Sequence, residues 1–272
     1  MVRMAAVGDN VIDRYPEMDI QYPGGSAANA AVFAARSGAR ASYIGLIGSD
    51  DDGAFILRTL QDEGVDVSRV RTIPGPNSWT DIVLDDDGNR RFTGYEKPAE
   101  DLVLTDDDFA SLRGVDWIHT GHSSYVERQL PELAAVAPVC FDFSYKDLDY
   151  AAGILPSLEV AAFSREGESV EECVALAEQA RSAGAAVCIV TRGAHGALVA
   201  TADGVYSRSA EPIQAVDTTG AGDAFQASFV HSLHSGEPVP RALATATAFA
   251  ARVCLQPGAF GHGIPLLMER RH

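Results

Sequence analysis

Apolar residues recur along this chain in two rhythms. Short apolar runs at Val2 to Val7, Ala41 to Ile47, Val70 to Ile73, Trp117 to Thr120, Val139 to Phe143, Val160 to Phe163 and Ala186 to Thr191 read as buried strands. Between them lie stretches with helical spacing. Residues 27–37 are alanine-rich and end at Gly38. Asp51 to Glu63 places Phe55, Ile56 and Leu60 at helical spacing, with Gly64 as its stop. Further helices are predicted near 126–136 and 168–183, and two more, near 222–235 and 238–254, close the chain. This alternation predicts an α/β fold, a sheet flanked by helices.

The rhythm changes near residue 74. Trp79 to Leu84 and Arg91 to Tyr95 are strand-like, and Asp85-Asp86-Asp87-Gly88-Asn89 between them reads as a turn, so the pair predicts a β-hairpin. Arg14 to Tyr22 reads as extended and polar. Segments near 12–23 and 76–98 are therefore expected to build a small sheet outside the main layer. Ala197 to Ala200 and Gly204 to Ser207 suggest another hairpin. No internal repeat or low-complexity linker divides the 272 residues, so one domain over 1–272 with an appendage is expected.

Charge narrows the partners. A formal net charge of -17 repels nucleic acid and anionic membranes, so a small anion must be held by local devices such as amides, a few arginines or a metal ion. Lys97 and Lys146 are the only lysines, and no site is drawn from them directly. Cys140, Cys173, Cys188 and Cys254 form no Cys-x-x-Cys pair and have apolar neighbours, which predicts buried free thiols. Met1 to Gly8 lacks the long core of a signal peptide, and no run approaches the roughly 20 apolar residues of a membrane span. A soluble, cytoplasmic protein is expected.

Four stretches carry candidate chemistry. Asp217-Thr218-Thr219-Gly220-Ala221-Gly222-Asp223-Ala224-Phe225 joins a small-residue turn to an apolar, helix-compatible run. Helix N-terminal amides lack intrahelical acceptors and the dipole favours negative charge there, so Gly220, Ala221 and Gly222 suit an anion. Asp223 beside that seat suggests a base next to a phosphoryl group. A plain turn followed by a capping aspartate has the same appearance.

Gly24-Gly25-Ser26-Ala27-Ala28-Asn29 permits close backbone approach at the mouth of a helix, with the Asn29 amide able to donate to and accept from a sugar hydroxyl. A glycine-rich connection with a solvated asparagine is the alternative. Gly8-Asp9-Asn10-Val11-Ile12-Asp13 leaves the first strand, where ligands of open α/β sheets bind, and its two carboxylates and amide suit hydroxyls; a polar turn fits as well. Thr191-Arg192-Gly193-Ala194-His195-Gly196-Ala197 follows a strong strand, with glycines against which a nucleotide can lie and His195 read as a loop residue. The phosphate loop Gly-x-x-x-x-Gly-Lys-Ser/Thr and the protein-kinase motifs are absent from the sequence.

Together, in this order and spacing, these stretches resemble the ribokinase-like (PfkB) family of carbohydrate kinases over nearly the whole chain. Asp-Thr-Thr-Gly-Ala-Gly-Asp is its most specific signature. Gly8-Asp9-Asn10, Tyr15-Pro16 and Phe141-Asp142-Phe143-Ser144 with Lys146 are similar to the branch that phosphorylates fructosamines such as fructoselysine. The resemblance implies a Rossmann-like α/β body with a central, mostly parallel sheet, a small β lid, and the use of ATP, Mg²⁺ and often a monovalent cation such as K⁺. It implies Asp223 as base, the amides of Gly220, Ala221 and Gly222 as anion hole, and Asp13, Gly25 and Asn29 around the sugar, where Asp9, Asn10 and Gly24 are further candidates. Thr191, Gly193 and Gly196 would line the nucleotide together with Gly220 and Gly222, and Asp217 and Thr219 would lie near the monovalent cation.

The family's usual Asn-x-x-Glu is replaced here by Ser164-Arg165-Glu166-Gly167-Glu168, leaving Glu166 as the first choice for organising Mg²⁺ and Glu168 as the alternative. Acidic Glu96, Glu100 and Asp101 near the lid suit a cationic amino-acid part, or are ordinary solvated charges. The expected reaction is phosphorylation of a terminal sugar hydroxyl, first the 6-hydroxyl of a fructosamine. Fructose, ribose, 2-keto-3-deoxygluconate or a nucleoside are the other acceptors, and a catalytically silent sugar sensor is the alternative of another class. Exposed lid edges make a homodimer plausible.

Overall fold

A computed structural model describes residues 1–85 and 90–266. The chain opens with strand β1 (Arg3–Val7), then a hairpin of β2 (Val11–Tyr15) and β3 (Ile20–Gly24), helix α1 (Ser26–Arg36), β4 (Arg40–Ile44), β5 (Leu46–Gly48), α2 (Asp51–Asp62) and β6 (Arg71–Ile73). β7 (Trp79–Leu84) and β8 (Arg90–Glu96) follow, then α3 (Asp106–Ser111), β9 (Trp117–Gly121), α4 (Leu130–Val136), β10 (Val139–Ser144), α5 (Leu148–Ala151), β11 (Val160–Ser164) and α6 (Val170–Ser182). The last elements are β12 (Val187–Thr191), β13 (Ala197–Thr201), β14 (Gly204–Arg208), α7 (Ala221–His234), α8 (Val239–Val253) and the short β15 (Ile264–Pro265).

The main sheet has eight strands in the order β14-β13-β12-β11-β10-β9-β1-β4. It is parallel from β12 to β4, and the β13–β14 hairpin extends it antiparallel. Strands buried on both faces need apolar residues at every position, and β1 shows this. Met4 and Ala6 join the core under α1, α2, α7 and α8, whereas Ala5 and Val7 join the core under α3 to α6. This is the helix–sheet–helix layering expected from the alternation.

A second sheet of five strands, β15-β3-β2-β7-β8, lies apart from the first. The polar reading of 14–22 needs correction here. Tyr15 and Tyr22 are buried and meet edge to face at 5.3 Å, and Arg14 covers the Trp79 ring at 3.6 Å. Aromatic residues thus give this small layer a core of its own with Ile82. Of the expected turn at 85–89, residues 86–89 lie outside the described residues.

Other boundaries moved for local reasons. The run 41–47 is two strands with Gly45 between them, where a side chain would lie 2.1 Å from the Tyr43 hydroxyl; β5 pairs with β6 in a separate two-stranded sheet. The helix expected from 126 begins with a 3₁₀ turn at Glu127–Gln129 and becomes α-helical at Leu130, with Pro131 in its first turn. α3 was not anticipated, although Thr105 and Asp108 cap it reciprocally. The four cysteines are buried and free, and no described helix is long and apolar enough to cross a membrane.

Candidate active site

The N-termini of α1 and α7 meet beyond the carboxyl ends of β1, β9 and β10, where open α/β sheets bind ligands. Asp223 is the third residue of α7. Its Oδ1 accepts from Ser26 Oγ at 2.9 Å and its Oδ2 from Asn29 Nδ2 at 2.8 Å, both from α1. Burial pushes the Asp223 carboxyl up to about 7, and nearby Asp142 adds to this, against the lowering effects of Asn29, Arg90 and Ser26.

Two more acids stand nearby. Asp142, near the end of β10, lies 3.4 Å from Ser26 Oγ and is itself raised, by burial first. Asp13 of β2 is buried and pushed up to about 8 by desolvation, with Arg90 opposing and Asp217, Asp223 and Asp9 reinforcing. A methyl group on Gly24 would come within 2.1 Å of Asp13 Oδ2, so glycine there makes room for the carboxylate. Several carboxylates thus share a desolvated space, with Arg90 near Asp13 and Asp223 and His122 near Asp142. Such a site holds protons loosely near neutrality, the property required of a base or of a hydroxyl-binding acid.

The turn preceding α7 is shaped by Gly220, at φ 76°, where any Cβ would lie 2.5 Å from that of Ala259. At Gly222, by contrast, no other heavy atom lies within 4 Å of where a Cβ would be, so the start of α7 is open on that side. Of the three expected anion-hole amides, that of Ala221 already donates to the Thr218 carbonyl at 3.2 Å.

Several expected ligand contacts are spent within the chain. Asn10 donates to the Tyr43 hydroxyl (2.9 Å) and the Leu46 carbonyl (2.6 Å) and accepts from Asn77 (3.1 Å). Its amide is therefore a buried joint between the β1–β2 turn, β4, β5 and the segment before β7. Asp9 accepts from the Ser26 amide (2.8 Å), the Ala27 amide (3.3 Å) and Ser124 Oγ (2.9 Å), which makes it an anchor for the start of α1. Gly25, at φ 102°, would bring a Cβ within 2.5 Å of Asn10 Cα, so its glycine serves that same joint.

Asp217 and Thr219 were expected beside a monovalent cation. In the structure Asp217 accepts from the Tyr15 hydroxyl (2.6 Å), the Thr219 amide (2.8 Å) and the Gly258 amide (2.8 Å), and Thr219 Oγ1 meets the same tyrosine at 3.1 Å. Their side chains are committed to Tyr15 and to the turn. Glu96, expected to face a cationic ligand, accepts from Trp79 Nε1 at 2.8 Å.

At the other end of the row, beyond β11 and β12, Glu166 lies against the loop that holds Gly193: a Cβ on Gly193 would be 2.8 Å from Glu166 Oε1. Glu168 pairs with Arg165 at 3.3 Å. A Cβ on Gly196 would sit 2.0 Å from the Arg208 carbonyl, so that glycine is required by the chain's own packing. Thr191 ends β12, in register with Ser164 and Ala197. Three strand spacings, about 14 Å, separate β1 from β11. No group of three or more His, Cys, Asp or Glu that could hold a metal lies among the described residues. A Mg²⁺ ion suits such a place only when phosphate oxygens and waters complete its shell, with one or two carboxylates from the protein. A cavity of about 90 Å³ between Arg3, Arg40, Asp66 and Arg69 lies at the opposite, amino ends of β1 and β4.

Sequence reasoning missed Ser124, Arg90 and Gln226, whose side chain hydrogen-bonds Asp142, and quoted Ser26, Tyr15 and Asp142 without giving them a role. The signal at Asp142 was a lone acid in an otherwise apolar strand. Tyr15 and Arg90 come from the second sheet, and nothing local ties them to the α7 turn.

The profile of the pfkB family carbohydrate kinases matches residues 11–138 and 148–264. The chain is 37% identical over 273 residues to the fructosamine kinase FrlD of Bacillus subtilis, covering 98% of this chain and 96% of the relative. It is 34% identical to the fructoselysine 6-kinase of Escherichia coli, covering 96% and 100%. Among solved structures it is similar to the fructokinase of Vibrio cholerae in its fructose, ADP and calcium-bound form (TM-score 0.80, 27% identity, covering 95% and 94%). The ribokinase of Arabidopsis thaliana complexed with ribose and ATP shares the fold (TM-score 0.80, 21% identity, covering 95% of each chain).

Proposed function

Because the chain belongs to the pfkB family of carbohydrate kinases, phosphotransferases acting on a sugar hydroxyl, we propose that its acceptor is a fructosamine and that the 6-hydroxyl is phosphorylated from ATP. The observation that carries the catalytic part is the Asp223 carboxylate, desolvated, held by two α1 side chains and set in the first turn of α7 beside an open glycine.

Asp13 and Asn29 hold the sugar so that one hydroxyl reaches Asp223. As that oxygen bonds to the γ-phosphorus, its proton passes to the Asp223 carboxylate and the bond from phosphorus to the β-phosphate oxygen breaks, releasing ADP. Ser26 and Asn29 fix the carboxylate's orientation. The Gly222 amide, in the first turn of α7, and the α7 dipole favour the charge of the transferring group. Glu166 would help to hold a Mg²⁺ ion with the nucleotide, and that ion would supply charge neutralisation for the phosphates. Thr191, Gly193 and Gly196 form the nucleotide side, and the five-stranded sheet acts as a lid that keeps water from competing with the sugar. β8, the last strand of that sheet's order, offers an edge to a second copy.

The fructosamine choice rests on relatives that carry that substrate in their names at 37% and 34% identity. Fructose is the second reading, favoured by a fructokinase of Salmonella typhimurium at 31%. ADP release on addition of fructoselysine, fructose and ribose tests both. The expected order of kcat/KM is fructoselysine first; fructose ahead by tenfold would replace the first reading with the second, and no ADP from any sugar would point to a sensor.

A further inference from the structure

The mouth of the cleft carries an aromatic and cationic rim that phosphoryl transfer does not use. Tyr95 of β8 and Tyr125, which follows β9, bring their hydroxyls to 3.4 Å, so the small sheet and the main body touch here. The Lys97 ammonium lies 4.3 Å from the centre of the Tyr125 ring. The rim adjoins the α1–α7 junction: Tyr125 directly follows Ser124, whose hydroxyl donates to Asp9, and Tyr95 is near enough to feel the Asp9 charge.

Three properties mark the rim as a place for something other than the sugar ring. Tyr95 and Tyr125 remain 55% and 43% exposed, although an edge of large rings is usually covered. Tyr125 holds φ 55°, a conformation disfavoured for so bulky a residue, at the carboxyl end of a site-bearing strand. Lys97 has no carboxylate partner among the described residues, in a chain of net charge -17 where acids are plentiful. A bare hexose needs neither a cation nor an apolar face there. A ketoamine whose nitrogen carries an amino acid presents an aliphatic stem and a carboxylate just outside the sugar. Stems pack on tyrosine faces, and a carboxylate takes an ammonium by charge-assisted hydrogen bonds.

Resting on the fructosamine reading above, we propose that Lys97, Tyr95 and Tyr125 form a subsite for the amino-acid part of the acceptor, with Lys97 binding its carboxylate. Lys146 provides the comparison. Its ammonium lies 5.0 Å and 5.3 Å from the Tyr145 and Tyr150 rings, and its carbonyl takes Arg165, on the side toward β11.

The test compares kcat/KM for fructoselysine with that for the fructosamine of butylamine, which lacks the carboxylate. Wild type should prefer fructoselysine. Lys97→Met should lower that ratio at least about fivefold, Lys97→Arg should restore most of it, and the preference should shrink as salt rises. Lys146→Met should leave the ratio within about twofold. An unchanged ratio in Lys97→Met, or an equal fall in both lysine variants, overturns the subsite while the fructosamine reading stands. A wild-type enzyme that phosphorylates fructose but neither fructosamine overturns that reading and the subsite with it.

Discussion

The α1–α7 junction and the β11–β13 end both carry residues singled out by their sequence motifs, and the two regions spend them differently. At the junction, Asp223, Asp142 and Asp13 are desolvated acids, and the buried Asn29 Oδ1 and Gln226 Oε1 have no hydrogen-bond partner among the described residues. Such atoms cost free energy unless something arrives to pair with them. At the β11–β13 end, Gly196 presses on the Arg208 carbonyl, while Arg165 donates to the carbonyls of Ser144 and Ser164 and Arg192 to that of Glu168. Most of the polar contacts there hold loops together, although the buried Arg192 Nε has no hydrogen-bond partner among the described residues. A glycine in a motif can serve a ligand or the chain itself, and only the atoms around it separate the two.

The comparison breaks most sharply at Asp223. Asp223→Asn should lower kcat by a factor on the order of 10² or more while the sugar KM changes little, because it removes the base and leaves its shape. Near-normal turnover in that variant would return the carboxylate to a capping role. In wild type, kcat/KM should rise with pH through about 7 as Asp223 loses its proton. Asp223→Asn should lose that limb, and an identical profile in both proteins would assign the limb to another group.

Glycine replacements sharpen the contrast. Gly222→Ala meets no atom and sits inside a helix, so thermal stability should hold or rise slightly, while an added methyl at the anion seat should cut kcat about tenfold or more. Gly196→Ala should do the reverse, lowering the melting temperature through its collision with the Arg208 backbone. Equal effects on stability would erase the distinction between the two regions.

Asp13 supplies a test by stability alone. Its folded-state value, about 8, lies above the ordinary carboxylate value, so the folded chain holds a proton that the unfolded chain releases between about pH 4 and 8. Stability from this group is therefore full below pH 4 and declines as pH rises. Asp13→Asn should stabilise the protein by more than about 1 kcal/mol at pH 8 and by almost nothing at pH 4, read from urea midpoints, while weakening sugar binding. No gain at pH 8 would mean the carboxylate is not desolvated.

The smallest effect is expected at the other end. Glu166→Gln should raise the KM for MgATP several-fold and leave the sugar KM alone, whereas Glu168→Gln, which loses only a half-exposed pair with Arg165, should do neither. A larger effect at Glu168 would exchange the two assignments.

The central sheet was legible because buried parallel strands leave unbroken apolar runs, and because Gly38 and Gly64 stop their helices. Asp223 and Asn29 were legible because each begins or follows a glycine-marked helix start. What escaped depended on distance along the chain. Nothing in the local sequence tells that Asn10 bonds to Tyr43 and Asn77, or that Asp9 accepts from the Ser26 amide. The second sheet's aromatic interior was missed since Tyr15 sits in a charged stretch and Tyr22 beside Gln21, and a tyrosine's amphipathic body reads as surface until its partner is known.

The hydroxyl of Tyr15, gripped by Asp217 and Thr219, ties the small sheet to the loop leading into α7. If the small sheet is the flap of the proposed reaction, this contact is its rein: a tilt of β2 would pull on the loop leading into α7, and arrival of the acceptor would be felt mechanically where the nucleotide reacts. Cutting the rein with Tyr15→Phe should loosen the timing between the two substrates before it harms the affinity for either.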